Sequence, residues 1–510
     1  MDTTPDPRRW WGLAAIGLAQ LMVVLDMTIV NIAMPTAQAD LGISDADRQW
    51  IITAYTLAFG GLLLLGGRMG DVFGRKRIMI IGLAGFAAAS AFGGLSQTFA
   101  MLIIARALQG MFAALLAPAA LSMLNVTFTE PRERARALGV YGAIAGGGAA
   151  IGLMLGGLLT QYVDWRWTLT VNVPIAVVAI IGTVMFLHDH STHGIHAKLD
   201  VPGAVLATGG LLAIVYGLSE AEQDGWTSTL VLSMFAIGAV LLAAFILVER
   251  RTPHALLPLH LMRDRNRAGA LLTVGLTQIG MFGVFLFLTY YLQGVQDFSP
   301  MKTGFAFLPM VLGMMSGAVG ISARLLPRVG PRRLMLPGML IAASALAFLT
   351  QIQVDSSYWL HIFPGLVALG LGMGMTFMPS MATATGGVRG TDAGVVSATL
   401  NTTQQVGGSI GIALLNTVAA TATANWIADN AATTPAEMAQ AAVHGFTTAM
   451  WISVSAVLLA ALTAAILINV RPTHGRGSTP VAHATGVPAN DQAVAVTAAS
   501  HEGGPAEMRP

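Results

Sequence analysis

Fourteen apolar stretches, each about as long as a bilayer-crossing helix, leave almost no room in this 510-residue chain for a water-soluble core. A hydrocarbon layer of about 30 Å is spanned by roughly 20 apolar residues of α-helix. The chain therefore reads as an all-α polytopic membrane protein, and every ionisable residue inside a stretch becomes a candidate for function. Composition agrees, with 55% hydrophobic residues, 10% charged residues and 58 glycines; glycine is more frequent in membrane helices than in soluble ones.

The spans are expected near 11–34, 50–67, 78–96, 100–123, 137–161, 168–187, 201–219, 229–248, 268–292, 303–324, 333–351, 358–380, 394–424 and 446–470. The run after Arg8 and Arg9 is too long for a signal peptide and lacks a small-residue cleavage pattern, so it reads as a retained first helix. An even number of spans puts both ends on one side, and basic residues mark the cytoplasmic side. Of the 27 Lys and Arg, only Arg48, Arg166 and Lys302 fall on the opposite side and Arg106 inside a span. Both termini are thus expected in the cytoplasm, with the chain in the plasma (inner) membrane. Trp50, Trp165, Trp167, Trp226, Trp359 and Trp426 fall at expected outer ends, where an amphipathic ring sits well among headgroups. Residues 1–10 form a short cytoplasmic start, and 471–510 read as a disordered tail without apolar periodicity.

Several function classes drop out. The basic residues are spread over short loops rather than gathered on one surface, so nucleic acid is not an expected partner. With no cysteine, disulfides and thiolate chemistry are excluded. No phosphate-cradling G-x-x-x-x-G-K-[ST] loop, His/Glu metal pattern or nucleophile elbow is present, which leaves neither ATP drive nor a membrane enzyme as the reading. No cofactor and no metal is expected.

A faint repeat divides the chain. Gly67-Arg68-Met69-Gly70-Asp71-Val72-Phe73-Gly74-Arg75-Lys76-Arg77 follows the second span, and Arg324-Leu325-Leu326-Pro327-Arg328-Val329-Gly330-Pro331-Arg332-Arg333 follows the tenth. If these correspond, 11–187 and 268–470 are six-helix bundles related as parallel repeats, with 201–248 an inserted hairpin between linkers 188–200 and 249–267. Such repeats suit a rocking secondary transporter with its site at their interface. Short inner loops also gather Gly and Arg for topology alone, so the repeat by itself is a weak signal.

Five stretches resemble the Major Facilitator Superfamily, specifically its 14-helix drug:proton antiporter branch. Leu25-Asp26-Met27-Thr28-Ile29-Val30-Asn31-Ile32-Ala33-Met34-Pro35 is similar to the branch's first-helix pattern. The Gly67–Arg77 loop resembles the superfamily's G-x-x-x-D-x-x-G-R-K loop, and Arg106-Ala107-Leu108-Gln109-Gly110 the R-x-x-Q-G element. Gly148, Gly152, Gly156 and Gly157 resemble the antiporter glycine motif. Trp165-Arg166-Trp167 followed by Asn172-Val173-Pro174 also fits, while the second half matches more loosely through Tyr290-Tyr291-Leu292-Gln293 and Asn401-Thr402 to Gly408. The glycine motif normally reads G-P, but Leu153 follows Gly152 here, so any bend in the fifth span must come from glycines alone.

The resemblance implies proton-driven efflux of hydrophobic or cationic drugs or antibiotics by alternating access, by a monomer in contact with lipid, protons and small substrates. It also implies that Gly67, Asp71, Gly74, Arg75 and Lys76 form a cytoplasmic gate. Read from the residues, an Asp within a membrane helix costs about 2.5–3.5 kcal/mol on insertion scales and is rarely idle. Asp26 lies about 13 Å and Arg106 about 9 Å from the outer surface at 1.5 Å per residue, which allows a pair or a shared polar cavity. Asp26 is then the protonation or cation-sensing site and Arg106 its modulator, against a purely structural ion pair. Candidate substrate contacts are Asn31, Phe282, Tyr290, Tyr291, Met310, Asn401, Gln404 and Gln405, since methionines and aromatic faces suit varied hydrophobic guests. Ordinary packing explains most of these singly; Asn401, Gln404 and Gln405 stand out because amides in lipid need partners. Glu220, Glu222, Asp224 and Asp392 read as solvated loop acids, and His188, His190, His193 and His196 as a polar linker. A dedicated exporter of one endogenous metabolite, antibiotic or lipid, an uptake symporter and a transport-free sensor remain the competing readings.

Overall fold

The computed structural model describes residues 8–45, 47–128, 130–187, 200–221, 224–252, 256–257, 262–386 and 393–470. Glu222, the four linker histidines, Asp392, the tail after 470 and the side chain of Asp71 lie outside the described residues. Those described hold fourteen helices long and apolar enough to cross a membrane and no strand. This is a multi-pass membrane protein. A helix satisfies its own backbone polar groups, which lipid demands of any spanning segment.

The first six helices are α1 (Arg9–Leu41), α2 (Trp50–Phe73), α3 (Arg75–Gly94), α4 (Phe99–Thr127), α5 (Pro131–Tyr162) and α6 (Trp167–Phe186). A hairpin follows, α7 (Val201–Glu220) and α8 (Thr229–Arg251). The remaining six are α9 (Arg265–Val295), α10 (Pro300–Val329), α11 (Pro331–Leu349), α12 (Tyr358–Thr385), α13 (Ala393–Asn430) and α14 (Pro435–Leu467). The face carrying the start of α1 and the end of α14 is called terminal below, and the opposite one distal.

Within the first set, α4 packs on α2 and α3, while α1 packs on α5 and α6. In the last set, α9 packs on α13 and α14, α11 on α12 and α14, and α10 on α12. The two sets meet along two seams, α2 against α13 and α5 against α10. The hairpin covers the first seam. Gln49 Nε2 and Trp50 Nε1 both donate to Ser219 Oγ at 2.6 and 3.2 Å, and Thr417 Oγ1 donates to Leu218 O at 2.8 Å. Leu57, Val215, Leu218 and Ala413 close a small apolar cluster beneath them. The α2–α3 and α10–α11 turns also correspond in backbone, with φ 93° at Gly74 and φ 80° at Gly330, a region costly for any residue with a Cβ.

The two helix ends that differ most from the hydropathy reading do so for local reasons. α14 begins at Pro435 rather than near 446, because Thr434 and Glu437 form a reciprocal capping box with Pro435 in the first turn; such a cap satisfies the free N–H groups of a helix start whatever the hydropathy beyond it. α1 runs past Pro35 to Leu41 and stops where Gly42 adopts a left-handed conformation with its N–H on Gln38 O. In the turn that Pro35 loosens, Gln293 Nε2 of α9 donates to Ile32 O at 3.0 Å.

Lipid gives helices no hydrophobic reason to associate, so close approach of small residues carries the packing. On α12, a Cβ at Gly370 would stand 2.0 Å from Met310 O and one at Gly374 2.2 Å from Met314 O, both on α10. Reciprocally, Gly313 and Gly317 of α10 leave 2.5 and 2.3 Å to Val367 O and Leu371 O. Backbone thus touches backbone with no space for a methyl. Gly370→Val should destabilise the detergent-solubilised protein by about 1–3 kcal/mol, the usual cost of overpacking, seen as a lower melting temperature. Gly139→Ala, with no heavy atom within 4 Å of its new methyl, should melt with the wild type.

Candidate functional site

Five helices converge on a buried polar network in the first bundle. Asp26 of α1 is 0% and Arg106 of α4 is 1% exposed, and Arg106 Nη1 lies 2.7 Å from Asp26 Oδ2. Gln109 Nε2, one turn along α4, donates to Asp26 Oδ1 at 3.0 Å, and Asn172 Nδ2 of α6 donates to the same oxygen at 2.8 Å. Arg106 Nε donates to Ile51 O of α2 at 2.9 Å, and its Nη1 also donates to Gln109 Oε1 at 2.8 Å. Gln109 further reaches Ser90 Oγ of α3 at 2.7 Å. The guanidinium carbon stands 4.4 Å from the Tyr55 ring centroid, a cation–π contact.

The chemistry of this arrangement follows from its cost. A buried ion pair repays desolvation only when its remaining donors and acceptors are also satisfied. Here Asp26 Oδ1 accepts from two amides, Oδ2 from Arg106, and the guanidinium reaches three acceptors, while Asn172 Oδ1 and Tyr55 OH are buried without a hydrogen bond. Such a network can hold a carboxylate away from water, tied at once to α4 and α6. The sequence paired Asp26 with Arg106 by depth. It did not single out Gln109, Asn172, Ser90 or Tyr55 as members. Gln109 was legible in hindsight, three residues along one helix face from Arg106.

A cavity of about 220 Å³ lies on the other side of α1, between the two bundles. From α1 it is lined by Val24, Met27, Thr28 and Asn31; from α9 by Thr277, Gln278, Met281, Phe282 and Phe285. Met314 of α10, Met373, Thr376 and Phe377 of α12 and Gln404 of α13 complete it. Of the sequence candidates, Asn31, Phe282 and Gln404 therefore meet in one cavity. Gln405 points to α2 and α1, its Cβ against Gly60 and its Nε2 3.8 Å from Met27 Sδ. Asn401, on α13, and Met310, buried in the apolar core, do not line it. A larger hollow of about 710 Å³ sits between α10 and α12 at their distal ends, but Leu312 and Trp359 on its wall are exposed, so it faces sideways rather than into the bundle interface.

Tyr290 and Tyr291 lie instead in a distal closure. Tyr290 OH donates to Gln38 Oε1 of α1, and the Arg48 guanidinium carbon sits 4.2 Å above its ring. Arg48 Nε donates to Asn416 Oδ1 of α13 at 3.0 Å, and Met301 N to Gln161 Oε1 of α5 at 3.3 Å. These contacts tie the first bundle to the second at the distal ends. Tyr291 OH donates to Gln353 O at 2.6 Å.

The glycine motif lines the contact of α5 with α1. A Cβ at Gly152 would lie 2.0 Å from Thr28 Oγ1, and one at Gly156 2.7 Å from Ile29 O; Gly148 faces Leu21 and Val24. Gly157 turns to the second bundle, with 2.6 Å to Met301 Cα, and Leu153 O lies against Gly304 of α10. α5 therefore touches α1 along one face and α10 along another. The expected Gly67–Arg77 loop is almost wholly helical, with only Gly74 between α2 and α3; Gly67 lies within α2, where an added Cβ would stand 3.6 Å from Pro118 Cβ. Lys76 Nζ donates to Val184 O and Leu187 O at 3.1 and 2.6 Å, capping the end of α6 within its own bundle.

A sequence model of the Major Facilitator Superfamily matches residues 16–412. The puromycin resistance protein pur8 of Streptomyces alboniger is 54% identical over 469 residues, covering 92% of this chain and 93% of the relative. The cephamycin export protein CmcT of Amycolatopsis lactamdurans is 36% identical, covering 91% and 92%. A tetracenomycin C resistance and export protein of Streptomyces glaucescens is 35% identical, covering 81% and 76%. In fold, the chain is similar to the POT family transporter PepTSo, with a TM-score of 0.65 at 15% identity over 91% of this chain and 98% of that one.

The two halves of the ion pair should differ in what their loss costs. Arg106→Leu leaves a carboxyl that can take up a proton and keep its bonds to Gln109 and Asn172. Asp26→Leu leaves a buried guanidinium that cannot lose its charge. Thermal melting should therefore rank Asp26→Leu as the more destabilised, by a share of the about 3–5 kcal/mol typical of breaking a buried pair. The reverse ranking would contradict the network as described.

Proposed function

The chain belongs to the Major Facilitator Superfamily, and from that premise we propose that it exports antibiotic-class small molecules by proton-driven antiport. The observation that supports export is its 54% identity, over 92% of its length, to a puromycin resistance protein. Proton coupling is supported by Asp26, a carboxylate buried in the spanning region and held only by side chains of neighbouring helices. On this reading the terminal face is cytoplasmic, as the basic loops require. The distal closure would then seal the cavity from outside, and we read this arrangement as the inward-open stage of a rocking cycle.

The proposed cycle couples the two sides of α1. Substrate enters the cavity from the cytoplasm, the bundles rock, and the distal contacts of Arg48, Tyr290 and Gln161 open. Proton uptake at Asp26 from outside weakens its pull on Arg106, which favours the return. The Gly67–Arg77 loop, with Asp71, Arg75 and Lys76, latches the terminal ends in the outward-open stage. Each 100 mV supplies about 2.3 kcal/mol per charge moved, enough for roughly fiftyfold accumulation at 1.4 kcal/mol per tenfold. A dedicated exporter of one antibiotic is the second reading, supported by relatives at 35–54% identity each named for a single compound class, beside one at 31% named for multidrug resistance.

The test is proton flux in inverted vesicles with a panel of puromycin, a cephamycin and tetracenomycin C. At least one should release protons from energised wild-type vesicles, and Asp26→Asn should lower that release at least tenfold. Undiminished release through the variant would remove Asp26 from coupling. Substrate movement with a collapsed proton gradient would remove antiport.

A further inference from the structure

The cavity between the bundles carries no charge, and this deepens the efflux reading on which it rests. Among its described lining residues there is no Asp, Glu, Lys, Arg or His. Asp26 is adjacent in sequence to Met27 but faces the opposite way, spent on Arg106, Gln109 and Asn172. A cation brought into the cavity would lose its hydration without meeting a counter-ion, a penalty of several kcal/mol. Contact with the faces of Phe282, Phe285 and Phe377 returns only about 0.5–2 kcal/mol by cation–π attraction.

One polar atom in the wall does ask for a partner. Asn31 is 3% exposed; its Nδ2 donates to Met27 O at 2.9 Å, while its Oδ1 is buried with no hydrogen bond. A buried acceptor left unmade is costly, and a ligand that supplies an N–H or O–H recovers that cost. Around it stand thioethers and aromatic rings, soft surfaces that adapt to flat, polarizable guests.

We propose that this cavity binds its substrate uncharged, as an aromatic amphiphile that donates a hydrogen bond to Asn31 Oδ1. A basic substrate is taken as its free base and leaves its proton in the cytoplasm, and permanent cations are rejected. Of the hydrophobic or cationic substrates expected from the sequence, this keeps the uncharged ones. It assigns specificity to a residue one and a half turns from Asp26 on α1.

The test uses the purified full-length protein and two probes, puromycin and its α-trimethylammonium analogue, which differ in whether the amine can shed its charge. Binding is read by ligand-induced tryptophan quenching, and transport in proteoliposomes. The wild type should bind the analogue at least tenfold more weakly than puromycin. Asn31→Leu should weaken puromycin about tenfold, and Asn31→Asp, which supplies a counter-ion, should reverse the preference; size-exclusion profiles confirm that each variant is folded. Equal binding of both probes by the wild type overturns the neutral-substrate inference and leaves export standing. If neither probe binds and no antibiotic of the panel is moved, the efflux reading fails and takes this inference with it.

Discussion

Helix α1 is the constraint around which the molecule is arranged, because three different environments must be met on one cylinder. Asn31 lies five residues beyond Asp26, about 140° around a helix of 3.6 residues per turn. That rotation separates a fully paired carboxylate from an uncharged cavity wall. A third stretch of its surface meets the glycines of α5: Thr28 and Ile29 leave no room for a side chain at Gly152 and Gly156, Leu21 and Val24 pack at 3.2 Å from a Cβ at Gly148, and Val24 and Thr28 also border the cavity. Contact this close fixes the rotation of α1, and the rotation decides which side chains see the network and which see the cavity. Gly148, Gly152 and Gly156 therefore act on function through geometry. They hold Asp26 toward α4 and α6.

Much of this was legible in the sequence where chemistry is expensive. Charged residues in lipid are few, so Asp26 and Arg106 announced themselves, and their similar depth allowed a pair or a shared cavity; the structure makes them a pair. Close-packing glycines at fourfold spacing were equally visible. What could not be read was rotation. Most of these helices are apolar on every side, and a helix without an amphipathic stripe gives no sign of which face meets lipid and which meets a cavity. Tyr290 and Phe282 lie on the same helix and looked equivalent as candidates, yet one closes the distal end against Gln38 and the other lines the cavity. Thr277, Gln278, Thr376 and Phe377 were missed for the same reason. The start of α14 failed differently: hydropathy looks for apolar runs, whereas the capping box of Thr434 and Glu437 is a hydrogen-bonding signal that precedes the run.

Separating the charged network from the cavity changes what a proton can do. Were Asp26 a wall residue, substrate and proton could compete for it directly. On the proposed cycle they would meet α1 on different faces, so coupling would pass through movement of the helix rather than exchange at one atom. Physical coupling of this kind requires an element with two arrangements whose balance both ligands bias. On the proposed cycle α1 is that element: Asp26 holds it to α4 and α6, a guest on Asn31 would draw it to α9 and α12, and the α5 glycines set the rotation from which it moves.

A neutral guest also alters the energetics of the proposed exchange. If a monovalent cation left for each proton entering, the charges would cancel and only the pH gradient would drive export. With an uncharged guest, each inward proton moves one net charge, and the membrane potential adds its full about 2.3 kcal/mol per 100 mV. A charge-free cavity thus makes each proton worth more as a driving force, and excludes guests that the potential would otherwise draw back in. On the proposed cycle, the absence of a carboxylate among the described residues lining the cavity with Asn31 would thus serve coupling as well as recognition.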